Sequence, residues 1–271
     1  MLGRKKTNWK FIIAMVIILV LSGCSITNLF LWKNGESGDR STLPVRLETL
    51  IEMAEYCKII YSEKGIIPDD PENANLNLMI DKKFRKKRDE FSYYVKQTDG
   101  ITILVFRGTA NRKNILTDID MRMFDDSQLD LLLHRGFRDA ADVIRNDIMK
   151  NYELHKTVYL TGHSLGGAVA QIIGMWLLEE GYNVQIFSFG SPKVTTKFLF
   201  NEPNHWRVAV RSDPVPYMPS LPYVHSGIHI DPKTLDWDET HEEDSMLQID
   251  GLDHSIKYYY NTLKERLDNG K

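Results

Sequence analysis

The chain has 271 residues, 42% hydrophobic and 26% charged, with a net charge of −3. That is ordinary globular composition, with enough apolar residues for one sizeable core. Residues 1–23 hold Arg4, Lys5, Lys6 and Lys10 and no acid, so the remainder is more acidic still. An acidic surface argues against nucleic acid as the main partner.

The N-terminus has the three parts of a secretion signal. Basic residues run to Lys10, Phe11 to Leu21 is an unbroken apolar run, and Ser22-Gly23 are small. The run is about half of the ~20 residues that a spanning helix needs. Leu21-Ser22-Gly23-Cys24 resembles a bacterial lipobox. That resemblance implies removal of residues 1–23, lipidation of Cys24 and a membrane-anchored protein in the cell envelope, facing outside the cytoplasm. A plain signal peptide and an uncleaved anchor helix are the other readings. With Cys24 acylated, Cys57 is the only thiol left and no intramolecular disulfide can form. Cys57 falls on the apolar side of a helical pattern and reads as a buried, inert thiol.

Residues 24–42, polar and glycine-containing, read as a flexible tether, and residues 43–271 as one domain. From Leu43 to Tyr61, apolar residues at Leu47, Leu50, Ile51, Ala54, Cys57 and Tyr61 predict an amphipathic helix. Pro68 to Asn77 is a turn-rich loop. Lys82 to Arg88 (KKFRKKR) is a dense basic run, read as a solvated turn, with contact to anionic lipid head groups as the alternative. Phe91 to Gln97 and Ile101 to Phe106 predict two strands around the hairpin signal Asp99-Gly100. Met121 to Leu133 reads as irregular. His134-Arg135-Gly136-Phe137 leads into a helix ending near Tyr152.

Thr157 to Gly181 is the centre of the pattern. A short apolar strand (Val158, Tyr159, Leu160) meets Gly162-His163-Ser164-Leu165-Gly166-Gly167, and a helix follows at once. Strand, G-x-S-x-G and helix in this order predict a sharp turn that exposes a serine hydroxyl. The flanking glycines are required where a Cβ would collide with strand or helix. The N–H groups and positive dipole end of the helix face the serine. The bland reading is a glycine turn with Ser164 as a helix cap. Val184 to Phe189 and Trp206 to Val210 predict further strands, and Ser255 to Leu267 a last helix. Strands alternating with helices predict a mainly parallel sheet covered on both faces.

A serine hydroxyl needs a base, usually an oriented histidine, to become a nucleophile. In such sheets the partners sit past the carboxyl ends of later strands, in the order Ser, acid, His. Asp213 lies just past Trp206 to Val210, in a loop stiffened by Pro214 and Pro216. Of the eight histidines, His163 adjoins Ser164 but faces the wrong way round the turn. His134 and His155 precede the serine, and His205 precedes Asp213. Among His225, His229, His241 and His254, the last sits at the mouth of the final helix and is favoured. His225 is the rival and reads as part of an extended segment. Oxyanion donors are expected from the N–H of Leu165 and from the loop Phe106-Arg107-Gly108-Thr109. No zinc pattern and no dinucleotide-binding glycine pattern is present. The acids between Asp231 and Asp244 lack calcium-loop spacing and read as a solvated loop.

Val105-Phe106-Arg107-Gly108-Thr109, His134-Arg135-Gly136-Phe137, Gly162 to Gly167, Phe189-Gly190-Ser191-Pro192, Asp213-Pro214-Val215-Pro216 and Asp253-His254 together resemble the class 3 lipase family. The resemblance spans roughly residues 43–267. It implies an α/β-hydrolase fold, a Ser164–Asp213–His254 triad, and an oxyanion hole of Thr109 and Leu165. It also implies a lid near Ala110 to Leu116, although Ile115 stands where many relatives have tryptophan. The expected activity is hydrolysis of lipid esters, without metal or organic cofactor. Phospholipase A1, short-chain esterase and a non-catalytic envelope lipoprotein on the same scaffold are the alternatives. The sequence does not define the oligomeric state.

Overall fold

The computed structural model describes residues 36–61, 80–84, 87–108, 122–197, 204–239 and 253–270. The secretion signal, Cys24, Thr109, the segment Ala110 to Leu116 and His241 lie outside the described residues.

Among these residues the chain runs β1 (Ser37–Gly38), α1 (Leu47–Ile60), β2 (Ile80–Phe84), β3 (Lys87–Phe91), β4 (Tyr93–Thr98) and β5 (Ile101–Phe106). It continues through β6 (Met123–Asp126), β7 (Leu131–His134), α2 (Arg135–Asn151), β8 (Thr157–His163), α3 (Leu165–Glu179) and β9 (Asn183–Phe189). β10 (His205–Val208), β11 (Ile228–Ile230), β12 (Trp237–Asp238) and α4 (Ile256–Asp268) complete it.

The main sheet has eight strands in the order β1-β12-β11-β10-β9-β8-β5-β4. From β5 through β8, β9 and β10 to β11 every pairing is parallel, and the pairings at both edges are antiparallel. This is the expected mainly parallel sheet. Side chains alternate across it, so each strand feeds two cores. Leu104, Phe106, Val158 and Leu160 join α2 and α3 on one face. Ile103, Val105, Phe187 and Phe189 join α1 and α4 on the other. α1 buries Leu47, Leu50, Met53, Ala54, Cys57 and Ile60, a stripe at steps of three and four. α3 is apolar almost all round and is buried along most of its length.

Two stretches differ from expectation. Residues 123–134 form an antiparallel hairpin, registered from Met123 with His134 to Asp126 with Leu131. Its acids masked the alternation, yet Asp126 is only 2% exposed. Its carboxylate accepts from Trp176 Nε1 at 3.3 Å, Leu129 N–H at 3.2 Å and Arg138 Nε at 3.3 Å, which makes an acid a core residue. The expected tether also gives way to sheet early. Ser37 and Gly38 pair with Asp238 and Trp237, and Trp237 Nε1 donates to Thr42 Oγ1 at 3.2 Å.

Candidate active site

β8 ends at His163, and α3 begins at Leu165. The whole reversal rests on Ser164, whose φ of 59° and ψ of −131° lie where side-chain-bearing residues are rare. Such a conformation costs about 1–3 kcal/mol and persists only where the surroundings enforce it. They do so here through close approach. A Cβ on Gly162 would run into the carbonyl of Gly166, and one on Gly166 into the carbonyl of Phe106. The two glycines let strand and helix cross almost in contact. Ser164 N–H donates to the Phe189 carbonyl at 3.0 Å, which ties the elbow to β9.

Asp213 and His254 meet although 41 residues separate them. Asp213 follows β10 and is fully buried. Its Oδ1 accepts from Val215 N–H at 2.9 Å, which fixes the carboxylate at the start of the proline-rich turn. Its Oδ2 lies 2.8 Å from His254 Nδ1 and accepts from the Tyr259 hydroxyl at 2.7 Å. Burial first, and then the charge of Asp213, push the Tyr259 phenol well above its ordinary range, so it stays a proton donor. Gly190, at φ 54°, leaves room for this cluster. A Cβ there would stand 2.6 Å from Asp213 Oδ2 and 3.2 Å from His254 Nδ1.

The neighbours of the acid and the imidazole are joined too. Ser212 Oγ donates to Asp253 Oδ2 at 2.7 Å, so two consecutive residues of one loop bond two consecutive residues of the other. With Asp213 on Nδ1, the other ring nitrogen of His254, Nε2, is the one available for chemistry. Ser164 Oγ and His254 Nε2 are both buried, and neither has a hydrogen-bond partner among the described residues. Buried polar atoms left unpaired are costly and rare, and the ring of His163, the residue before Ser164, lies 4.6 Å from that of His254.

His225, the rival histidine, is engaged elsewhere, with Nε2 2.6 Å from the Pro216 carbonyl. His229 lies 3.1 Å from Asp238 Oδ2 and 3.0 Å from the Ala209 carbonyl, between β10 and β12. His163 does not face away. Its ring lies against that of His254, with centroids 4.6 Å apart. Leu165 opens α3, where the first N–H groups of a helix lack intrahelical partners. Gly108, at the end of the described part of its loop, sits beside the serine: a Cβ there would be 3.2 Å from Ser164 Cβ. Tyr259, His163 and the Ser212–Asp253 bond were not read as site features. Tyr259 stands in a run of three tyrosines whose helical phase alone does not single it out.

Residues 103–223 match the family described as Lipase (class 3), a span that holds Ser164 and Asp213 and stops short of His254. The chain is 30% identical over 146 residues to secreted mono- and diacylglycerol lipase 1 of Fusarium solani, covering 48% of this chain and 42% of that protein. It is 31% identical over 149 residues to secreted mono- and diacylglycerol lipase A of Penicillium cyclopium, covering 48% of each. The chain thus spans about half the length of the curated relatives it matches. The solved mono- and diacylglycerol lipase of Aspergillus oryzae superposes with a TM-score of 0.56 at 23% identity, over 69% of this chain and 79% of that one. That likeness shows the α/β-hydrolase fold. Residues 103–223 are thus similar to class 3 lipases.

Proposed function

We propose that the protein is a serine carboxylic-ester hydrolase acting on lipid esters, held at the cell envelope by lipidated Cys24. The reading is supported by a buried serine at a strained strand-to-helix elbow and a buried His254–Asp213 pair, whose imidazole lies 4.6 Å from the ring of His163, the residue before the serine. The names of the relatives, mono- and diacylglycerol lipases, favour acylglycerols among lipid esters.

The chemistry follows from the donors and acceptors. Ser164 Oγ attacks the ester carbonyl carbon while His254 Nε2 takes its proton. Asp213 holds Nδ1–H and stabilises the imidazolium that forms. The carbonyl oxygen becomes an oxyanion, held by the N–H groups of Thr109 and Leu165. One such donor is worth about 3–4 kcal/mol in the barrier. The tetrahedral intermediate collapses and breaks the C–O bond, and His254 gives its proton to the departing alcohol. Water then attacks the acyl-enzyme with His254 again as base, which releases the fatty acid and restores Ser164. No metal or organic cofactor takes part in this scheme.

Ser164→Ala removes the attacking oxygen and leaves the elbow with a smaller side chain. Hydrolysis of p-nitrophenyl esters and labelling by a fluorophosphonate should both disappear, with an unchanged circular dichroism spectrum. Retained hydrolysis in that variant would overturn the mechanism. Relative rates on a triglyceride, a diacylglycerol, a phospholipid and short-chain esters separate lipase from phospholipase A1 and esterase.

A further inference from the structure

Asp213 grips His254 through one nitrogen, at 2.8 Å. One hydrogen bond leaves an imidazole free to roll about the line of that bond. Something must hold the ring's face if Nε2 is to keep its aim. The structure supplies a flat partner: the ring of His163, with centroids 4.6 Å apart and planes 30° from parallel. His163 is itself 2% exposed and is held in turn. Its Nδ1 lies 3.2 Å from the hydroxyl of Tyr61, the residue that ends α1, and the Tyr61 ring meets it edge-on at 5.6 Å and 74°. Tyr259, on α4, closes a further side at 6.2 Å. Gly108 makes room, because a Cβ there would meet the Tyr61 hydroxyl and stand 2.6 Å from the His163 carbonyl.

We infer that His163 is a positioning residue: its ring sets the plane of His254 and so directs Nε2 at the Ser164 hydroxyl, while Tyr61 keeps His163 in place. The inference rests on the ester-hydrolase reading above. One strand end thus carries both the attacking serine and the platform for its base. Among the described residues, Asp213, Tyr61 and Tyr259 are ionisable groups facing the stack, with the Arg107 guanidinium 5.7 Å from the Tyr61 ring centre.

The test compares His163→Phe, which keeps a flat ring, with His163→Met, which fills similar space without one. Both are assayed on a soluble p-nitrophenyl ester and by the rate of fluorophosphonate labelling, with melting temperature as the check on folding. His163→Met should lose about tenfold or more in kcat with KM changed less than about twofold. Its labelling should slow by the same factor. His163→Phe should keep kcat within about threefold of wild type. Equal losses in the two folded variants, or wild-type kcat and labelling in His163→Met, overturn the inference while leaving the hydrolase reading standing. A wild-type protein that neither hydrolyses esters nor labels, while folded, overturns the hydrolase reading and this inference with it.

Discussion

At the scale of single residues, Tyr259 and Cys57 show opposite uses of burial. Tyr259 donates to the fully buried Asp213, a bond between two side chains shielded from solvent. Tyr259→Phe deletes the donor and leaves the carboxylate with His254 and Val215 N–H. Loss of a bond to a buried charged group costs about 1.5–3 kcal/mol, measurable as a lower urea midpoint. It should also reduce kcat more than it alters KM, because a less firmly held carboxylate supports the imidazolium less well. Cys57 is enclosed by the core beneath β8, with Sγ 3.2 Å from Thr161 Oγ1. Burial pushes its thiol from 9.0 up to about 12, so the folded chain keeps a proton that the unfolded chain loses. The sign follows: below about pH 9 the group costs nothing, and stability falls as pH rises from there toward about 12. The slope is at most about 1.4 kcal/mol per pH unit from this one group. Urea unfolding at about pH 8 and about pH 10 should show a smaller pH-dependent loss in Cys57→Ala than in wild type.

At the scale of elements, the crossing of β8, α3 and β5 is set by absent atoms. Gly166→Ala would push a Cβ into the Phe106 carbonyl, and backbone has no rotamer to escape by. The expected result is a loss of about 3 kcal/mol or more and a sharp drop in activity, because the serine rides on the displaced turn. Thermal melts and ester assays on the same preparation check this. The elbow was legible in the sequence because G-x-S-x-G between an apolar strand and an apolar helix satisfies several local rules at once. The His254–Asp213 pairing followed from chain order. The β6–β7 hairpin was not legible, since its acids Asp125 and Asp126 break the apolar alternation. Only tertiary partners such as Trp176 and Arg138 turn Asp126 into an interior residue. The stack of His163 on His254 was hidden for a related reason. The direction of a side chain at a strand-to-helix reversal depends on backbone angles that residue identities do not state.

At the scale of the whole molecule, the parallel strands deliver the serine and the acid of the proposed site to one end of the sheet. β5, β8, β9 and β10 all run the same way, and Gly108, Ser164, Gly190 and Asp213 follow their carboxyl ends. The proposed anchor adds a prediction at this scale. Cys24→Ala should abolish incorporation of labelled fatty acid and leave the protein in its unprocessed form, while hydrolysis by the domain persists in detergent extracts. Labelling of the variant equal to wild type would rule out Cys24 as the lipid acceptor. The sheet that begins at Ser37 leaves about a dozen residues between that cysteine and the first strand, at most roughly 45 Å when extended.

The double seam of Ser212 to Asp253 and Asp213 to His254 acts as a buckle. The chain between its halves leaves the cleft, adds β11 and β12 to the sheet, and returns to the same spot. Insertions within that excursion, away from the seam, should therefore leave the 2.8 Å contact of carboxylate and imidazole in place.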